Sequence, residues 1–189
     1  MPRQIDWKFL EREEKPRVLE GYVPRHNDGT PYNKSGVTIA TGVDLGARDA
    51  AEIMRLPVSD LLRRKLSAYA KFKGWGAVEI LKKKPLTITI AEANELDRAI
   101  KTELIERMIR RFEEDAGFDF DSMPAQFQTV MASLAWQWGP NFENTPAMAD
   151  VWRAAVNGQI CTMADLLDSK TQFAARRDRE AALLRSIPR

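Results

Sequence analysis

The sequence predicts an α+β chain that is mainly helical, with a small antiparallel sheet preceding a larger set of helices. Three observations carry this reading. β-Branched residues and turn glycines crowd into the stretch SGVTIATGVDLG at residues 35–46. After Asp49 apolar residues recur at helical spacing almost everywhere. Thr89 and Glu92 form a capping box ahead of a run containing Ala93, Leu96, Ile100, Leu104, Ile105, Met108, Ile109 and Phe112, long enough to bridge two lobes. The expected plan is one domain over residues 1–189. It has an N-terminal helix and β-lobe at 1–48, a helical lobe at 49–189, and a cleft between them.

Residues 7–14 read as a short helix with Asp6 as N-cap and Phe9 and Leu10 as apolar anchors. It ends at Lys15-Pro16, because proline in a helix interior removes a hydrogen bond and clashes with the preceding turn. Residues 19–23 read as a strand. The polar insert RHNDGTPYNK at 25–34 is a loop turning at Asp28-Gly29. In the stretch that follows, Val37, Thr38, Ile39 and Thr41 suit a strand, while Gly42 and Gly46 permit close backbone approach. Asp44 sits where that strand turns towards a helix beginning near Asp49, and it could equally serve as the N-cap of that helix. Residues 17–43 are expected to make two or three antiparallel strands.

Downstream, a helix at 50–54 stops at Leu56-Pro57. Ser59 opens another, with Leu61, Leu62 and Leu66 on one face. Gly74-Trp75-Gly76 marks a kink or loop before a helical turn at 77–82. Pro124 stands in the first turn of a helix carrying Phe127, Val130, Met131, Leu134 and Trp138, stopped by Gly139-Pro140. Helices at 147–156, 164–167 and 176–184 complete the chain.

The totals bound the function. The chain has 189 residues, 44% of them hydrophobic, enough for one compact domain. With 29 basic against 27 acidic residues the net charge is only +2, which does not argue for nucleic acid, and none is expected as a partner. One cysteine, Cys161, forbids an internal disulfide and suits a reducing cytoplasm. The opening MPRQIDWKFLEREEK lacks the apolar core of a signal peptide, and no apolar run approaches the ~18 residues of a membrane span. Synthesis in the cytoplasm is therefore expected, with delivery by other means if the substrate lies elsewhere. His26, the single histidine, reads as a surface group in its polar loop. With one histidine and one distant cysteine no metal site is expected, and no phosphate loop or other cofactor motif is present.

Three groups could do chemistry. The first is the acidic end of the first helix, Glu11, Glu13 and Glu14. A carboxyl at a helix C-terminus lies beside the negative end of the dipole, which raises its pKa and suits a general acid. The second is Thr38 with Asp44, a hydroxyl and a carboxylate able to orient and activate water. The third is the basic run Arg176, Arg177 and Arg179. Acidic helix ends are more often solvated faces, and these arginines have nearby acids in Asp178 and Glu180 to pair with. Trp136 reads as core; Trp138 reads as core or as a wall of a sugar-binding groove.

The order of these parts resembles the phage-type lysozymes, and most closely the pesticin-like muramidases. The sharpest segment is Gly21-Tyr22-Val23-Pro24 followed by residues 35–46. Residues 87–96, Ala135-Trp136-Gln137-Trp138-Gly139 and residues 173–184 support it across nearly the whole chain. The resemblance implies a lysozyme-like fold. It places the family's catalytic glutamate on Glu14, although Lys15 stands where glycine usually follows, so Glu13 is the second choice. It places the catalytic threonine on Thr38 and the acidic partner on Asp44, with Asp28 in the longer loop as the lesser alternative. It implies that Arg176, or Arg177, pairs with the glutamate, and that Gln137 and Trp138 flank the substrate.

What the resemblance implies as activity is hydrolysis of the β-1,4 bond between N-acetylmuramic acid and N-acetylglucosamine in peptidoglycan, by an inverting reaction without cofactor. A monomer is expected. It would act in the periplasm of a target cell as a secreted antibacterial effector, for example of a type VI secretion machine, or as a bacteriocin or an endolysin. An effector would imply secretion machinery and a cognate immunity protein as partners. A lytic transglycosylase needs the glutamate but no water-activating Asp44. A non-catalytic glycan-binding module needs neither.

Overall fold

A computed structural model describes residues 3–13 and 17–188. It is mainly helical, with one three-stranded antiparallel sheet of order β1-β2-β3, in agreement with the expected α+β class. The chain divides into two compact units, residues 1–14 with 102–189, and residues 15–101.

The sheet belongs to the unit of residues 15–101. Strand β1 (Val18–Tyr22) pairs with β2 (Thr38–Ala40), and β2 pairs with β3 (Val43–Asp44). The stretch 35–46, expected as one strand, folds back on itself. The reason is local: Gly42 has φ +105, and Ala40 also sits at positive φ. Helices α2 (Ala50–Met54), α3 (Asp60–Ser67) and α4 (Gly74–Lys83) follow. Asp49 and Glu52 close a reciprocal capping box on α2. Leu62 and Leu66, four residues apart, face inwards, whereas Leu61 is 67% exposed and does not share their face. Gly74-Trp75-Gly76, expected as a kink or loop, is the first turn of α4. Gly74 starts the helix at φ +52 while its N–H donates to Ser35 O at 2.9 Å. Val37, Ile39, Leu45, Ile53, Leu62, Leu66, Val78 and Leu96 are buried in this unit.

Helix α5 (Ile90–Ala116) opens on the expected capping box: Glu92 N–H donates to Thr89 Oγ1 at 3.1 Å, and Thr89 N–H to Glu92 Oε2 at 2.7 Å. Residues 90–101 of α5 fall in the unit of residues 15–101 and the remainder in the other.

The helical unit contains α1 (Trp7–Arg12), the rest of α5, α6 (Ala125–Trp138), α7 (Ala149–Val156), α8 (Ile160–Asp168) and α9 (Ala174–Arg185). Asp6 caps α1, its Oδ1 accepting from Lys8 and Phe9 N–H, as its sequence position indicated. Leu10, Met108, Phe112, Phe120, Phe127, Met131, Phe142, Val151 and Leu167 lie in one core. Phe112 receives the edges or faces of Phe120, Phe127 and Trp152 at 5.4–6.2 Å between centroids, the offset geometry aromatic rings favour.

Candidate functional site

The hairpin around Asp44 is held by side chains as well as by its ladder. Thr38 and Asp44 are direct cross-strand partners, as are Ile39 and Val43. Adjacent cross-strand side chains in such a pair stand about 5 Å apart, so a hydroxyl and a carboxylate lie side by side. Asp44 Oδ1 accepts from Gly46 N–H at 2.8 Å and from Gly36 N–H at 3.0 Å, while Oδ2 shares the Gly36 donor at 3.2 Å. Asp44 is thus the N-cap of a 3-10 turn over Leu45–Ala47, and Asp49 caps the helix that follows. Asp44 therefore ends its strand as expected, but it caps the short 3-10 turn and not the helix beginning near Asp49. Of its two oxygens, Oδ2 keeps the greater free acceptor capacity.

Gly36 and Gly46 make this clasp possible by close approach. A Cβ on Gly36 would lie 2.5 Å from Gly46 N and 2.6 Å from Asp44 Oδ1, and one on Gly46 would overlap Phe72 O. Thr38 is only 4% exposed, and its Oγ1 donates to Gly36 O at 3.3 Å. At the tip, Asp97 of α5 takes over: its Oδ1 accepts from Thr41 Oγ1 at 2.6 Å and Thr41 N–H at 3.2 Å, and its Oδ2 accepts from Arg17 at 3.0 Å. Asp28 lies apart from this arrangement, in the exposed loop, where its Oδ1 accepts from Thr30 N–H and Oγ1. Those bonds hold its carboxyl below the usual range.

In the helical unit the acidic end of α1 meets the arginines of α9. Glu13 is the C-cap of α1. Arg179 donates to it twice, Nε to Oε1 and Nη2 to Oε2, both at 2.6 Å. The helix dipole was expected to raise a carboxyl here. At Glu13 the opposite holds, because Arg179's hydrogen bonds and the charges of Arg179, Arg176 and Arg177 keep it lowered. Arg176 Nη2 donates to Ser133 O at 2.9 Å and Ser133 Oγ at 2.7 Å, and its Nε to Glu180 at 3.2 Å. Arg177 is fully buried, donating to Gln137 Oε1 at 2.5 Å and Glu180 Oε1 at 2.9 Å. Ser133 Oγ donates to Glu180 at 2.5 Å. Burial pushes the Glu180 carboxyl up and the Arg177 guanidinium down, and their mutual attraction opposes both. Arg176 and Arg177 pair with Glu180 at the i,i+4 and i,i+3 spacings that neighbours on one helix face favour.

Glu14, the residue placed as general acid, lies outside the described residues, as do Lys15 and Pro16. Gln137 is engaged by Arg177 from within the helical unit. Trp138 is half-buried and packs edge-on to Phe173 at 6.0 Å. Its indole N–H has no hydrogen-bond partner among the described residues. Trp136 is half-buried as well.

The sequence reading missed Asp97 and Ser133. Each left a signal, a polar residue beside apolar helical positions: Asp97 next to Leu96 and four residues after Ala93, and Ser133 between Ala132 and Leu134 in the buried run from Phe127 to Ala135. Among the described residues no cluster of His, Cys, Asp and Glu could hold a metal ion, and no helix is long and apolar enough to cross a membrane.

Comparison with known families returns one described as "Pesticin: Bacterial toxin homologue of phage lysozyme, C-term", whose model matches residues 4–159. No curated protein matches the chain.

Proposed function

Because the chain belongs to the pesticin family of phage-lysozyme homologues, with a lysozyme-type, peptidoglycan-degrading activity, we propose that it is a muramidase. It cleaves the β-1,4 bond between N-acetylmuramic acid and N-acetylglucosamine. Glu14 donates its proton to the departing glycosidic oxygen. Asp44 accepts a proton from a water molecule that Thr38 helps to orient, and that water attacks the anomeric carbon from the opposite face. The carbon inverts, the leaving sugar departs as an alcohol, and Asp44's proton returns to Glu14 through solvent. Such an inverting reaction requires carboxyl groups roughly 6.5–9.5 Å apart, enough to admit the water.

The observation that carries the reading is the Thr38–Asp44 pair. Asp44 is fixed by two backbone N–H groups, chiefly through Oδ1, with a threonine hydroxyl as its cross-strand neighbour. Fixed geometry of this kind is what water positioning demands. Glu13 serves the acid role poorly, since an arginine fork keeps it ionised. Asp28, exposed and occupied by its own turn, supports a water-activating role less well than Asp44.

In this reading the protein acts on the cell wall of another bacterium, in keeping with the toxin in the family's description. The periplasm is its place of action, reached as a secreted effector, bacteriocin or endolysin. An effector brings with it a secretion machine and an immunity protein. Digestion of purified peptidoglycan, with products identified by mass spectrometry, tests the chemistry. Reducing muramic-acid ends from the wild type, lost in both Glu14→Gln and Asp44→Asn, are expected. Anhydro ends unaffected by Asp44→Asn would make the protein a transglycosylase, and no products would leave a glycan-binding module.

A further inference from the structure

We infer that Asp97 is a positioning residue: by clasping Thr41 it holds the turn between β2 and β3 in a strained form, and so sets where the Thr38–Asp44 pair stands. The inference rests on the reading of Asp44 as the water-activating group. Three donors converge on the Asp97 carboxylate. Thr41 Oγ1 and Thr41 N–H donate to Oδ1 at 2.6 and 3.2 Å, and Arg17 Nε, from the residue before β1, donates to Oδ2 at 3.0 Å. Asp97 is only 1% exposed, and a charge buried to that degree needs such donors in place of water.

The turn needs holding. Ala40, buried, sits at φ +55, and Gly42 at φ +105. Alanine at positive φ carries a steric penalty that glycine escapes, and such a conformation persists only where its surroundings over-determine it. Thr41 lies between the two, and Asp97 grips it by backbone and side chain together. The ladder itself is short: β2 and β3 share the pairs Thr38–Asp44 and Ile39–Val43. Asp44's own bonds to Gly36 and Gly46 tie it to the base of the hairpin, and Asp97 ties the tip to α5. Between the tip and the Thr38–Asp44 pair stands one rung, Ile39–Val43, with both residues buried. A packed rung passes a displacement on rather than absorbing it. Release of Thr41 lets Ala40 relax towards negative φ, and the pair at the base moves with it. Misplacement of a reacting group by about 1 Å lowers turnover on the order of 100-fold.

The test measures kcat and KM on soluble, uncross-linked glycan strands of alternating N-acetylglucosamine and N-acetylmuramic acid, well below each protein's melting temperature. Amide hydrogen exchange at Gly36 and Gly46 is followed beside it, with Leu66 of α3 as reference. The variants are Asp97→Asn, Thr41→Val, and Asp97→Asn combined with Ala40→Gly. Asparagine offers one acceptor oxygen beside an NH2 group, so it cannot serve donors on both sides. We expect kcat to fall about 10- to 100-fold in Asp97→Asn, with KM within about twofold, and to fall less in Thr41→Val, which keeps the Thr41 amide bond. Exchange at Gly36 and Gly46 should quicken more than at Leu66. Adding Ala40→Gly should regain most of the turnover, since glycine keeps positive φ without penalty. Variants that melt earlier but turn over at the wild-type rate would overturn the inference, because Asp97 would then be structural only. A loss that Ala40→Gly leaves untouched would overturn it too, because the turn would not be its cause. If the wild type cleaves nothing, exchange still decides. Quickening at Gly36 and Gly46 would uphold the placing of Asp44 while the muramidase reading falls, and unchanged exchange would sink both.

Discussion

Replacing Gly36 with alanine tests how the hairpin holds Asp44. The added Cβ would fall 2.5 Å from Gly46 N and 2.6 Å from Asp44 Oδ1, where ordinary contact begins at 3.4 Å. With Gly46 Cα nearer still at 2.4 Å, the backbones of Gly36 and Gly46, or the carboxylate, must therefore separate by about 0.8–1.0 Å. Gly46 cannot retreat freely, because its other side is closed by Phe72 O. Overpacking of this kind costs about 1–3 kcal/mol. The Gly36 N–H bonds to Asp44, at 3.0 and 3.2 Å, stretch beyond hydrogen-bonding range in the same movement. A lost bond to a charged group adds about 1.5–3 kcal/mol.

Together the destabilisation should be roughly 2.5–6 kcal/mol, and a shift of Asp44 by nearly 1 Å should lower turnover about 100-fold. Urea unfolding followed by circular dichroism, paired with muropeptide release, reads both effects. Gly42→Ala is the control. That glycine has open space around it and φ +105, so alanine there suffers backbone strain of about 1–2 kcal/mol and leaves Asp44's bonds alone. A Gly36→Ala protein within about 0.5 kcal/mol of wild type and fully active would refute the steric reasoning.

Two further expectations follow from the helical unit. Glu180→Ala should destabilise by about 3–5 kcal/mol in thermal or urea unfolding, because it leaves Arg177 buried without its counter-charge, whereas Glu180→Gln, which retains an acceptor for Ser133, should cost less. Arg179→Ala should be less stable than wild type at neutral pH by at most about 1 kcal/mol, given that the arginine is half-exposed. The Glu13 carboxyl is lowered in the folded protein, so its contribution is full above the ordinary value of 4.5 and is lost as pH falls through the folded value. Melting temperatures of the two proteins should therefore converge on acidification below about pH 4.5, and a gap that widens there would contradict the assignment.

Helical periodicity and caps made most of the fold legible before any coordinates. Asp6 and the Thr89–Glu92 box each open the helix expected of them, because capping is decided within four residues of sequence, whereas the helix after Asp44 is capped by Asp49 instead. Glycine was harder to read. Gly42 turns a strand, Gly36 and Gly46 admit close approach, and Gly74 begins a helix, yet all four look alike until the neighbours of each backbone are known. At the candidate site, Thr38 and Asp44 were found through residues only six apart. Their direct pairing needed a turn at Gly42 that the strand-like composition concealed. Asp97 and the Ser133–Glu180 bond join residues 56 and 47 positions apart, beyond the reach of any local pattern. Glu13's low carboxyl pKa was hidden for the same reason: the dipole at its helix end is local, and Arg179 lies 166 residues away.

The hairpin's reliance on carboxylates has a dynamic consequence. The amides of Gly36, Thr41 and Gly46 donate to Asp44 and Asp97, not to ladder carbonyls. Their exposure to solvent hydrogen is governed by two side chains, one fastening the base of the hairpin and the other its tip. The region should thus open as one cooperative piece, with slow amide exchange in turn residues that a ribbon of three- and two-residue strands could not protect unaided.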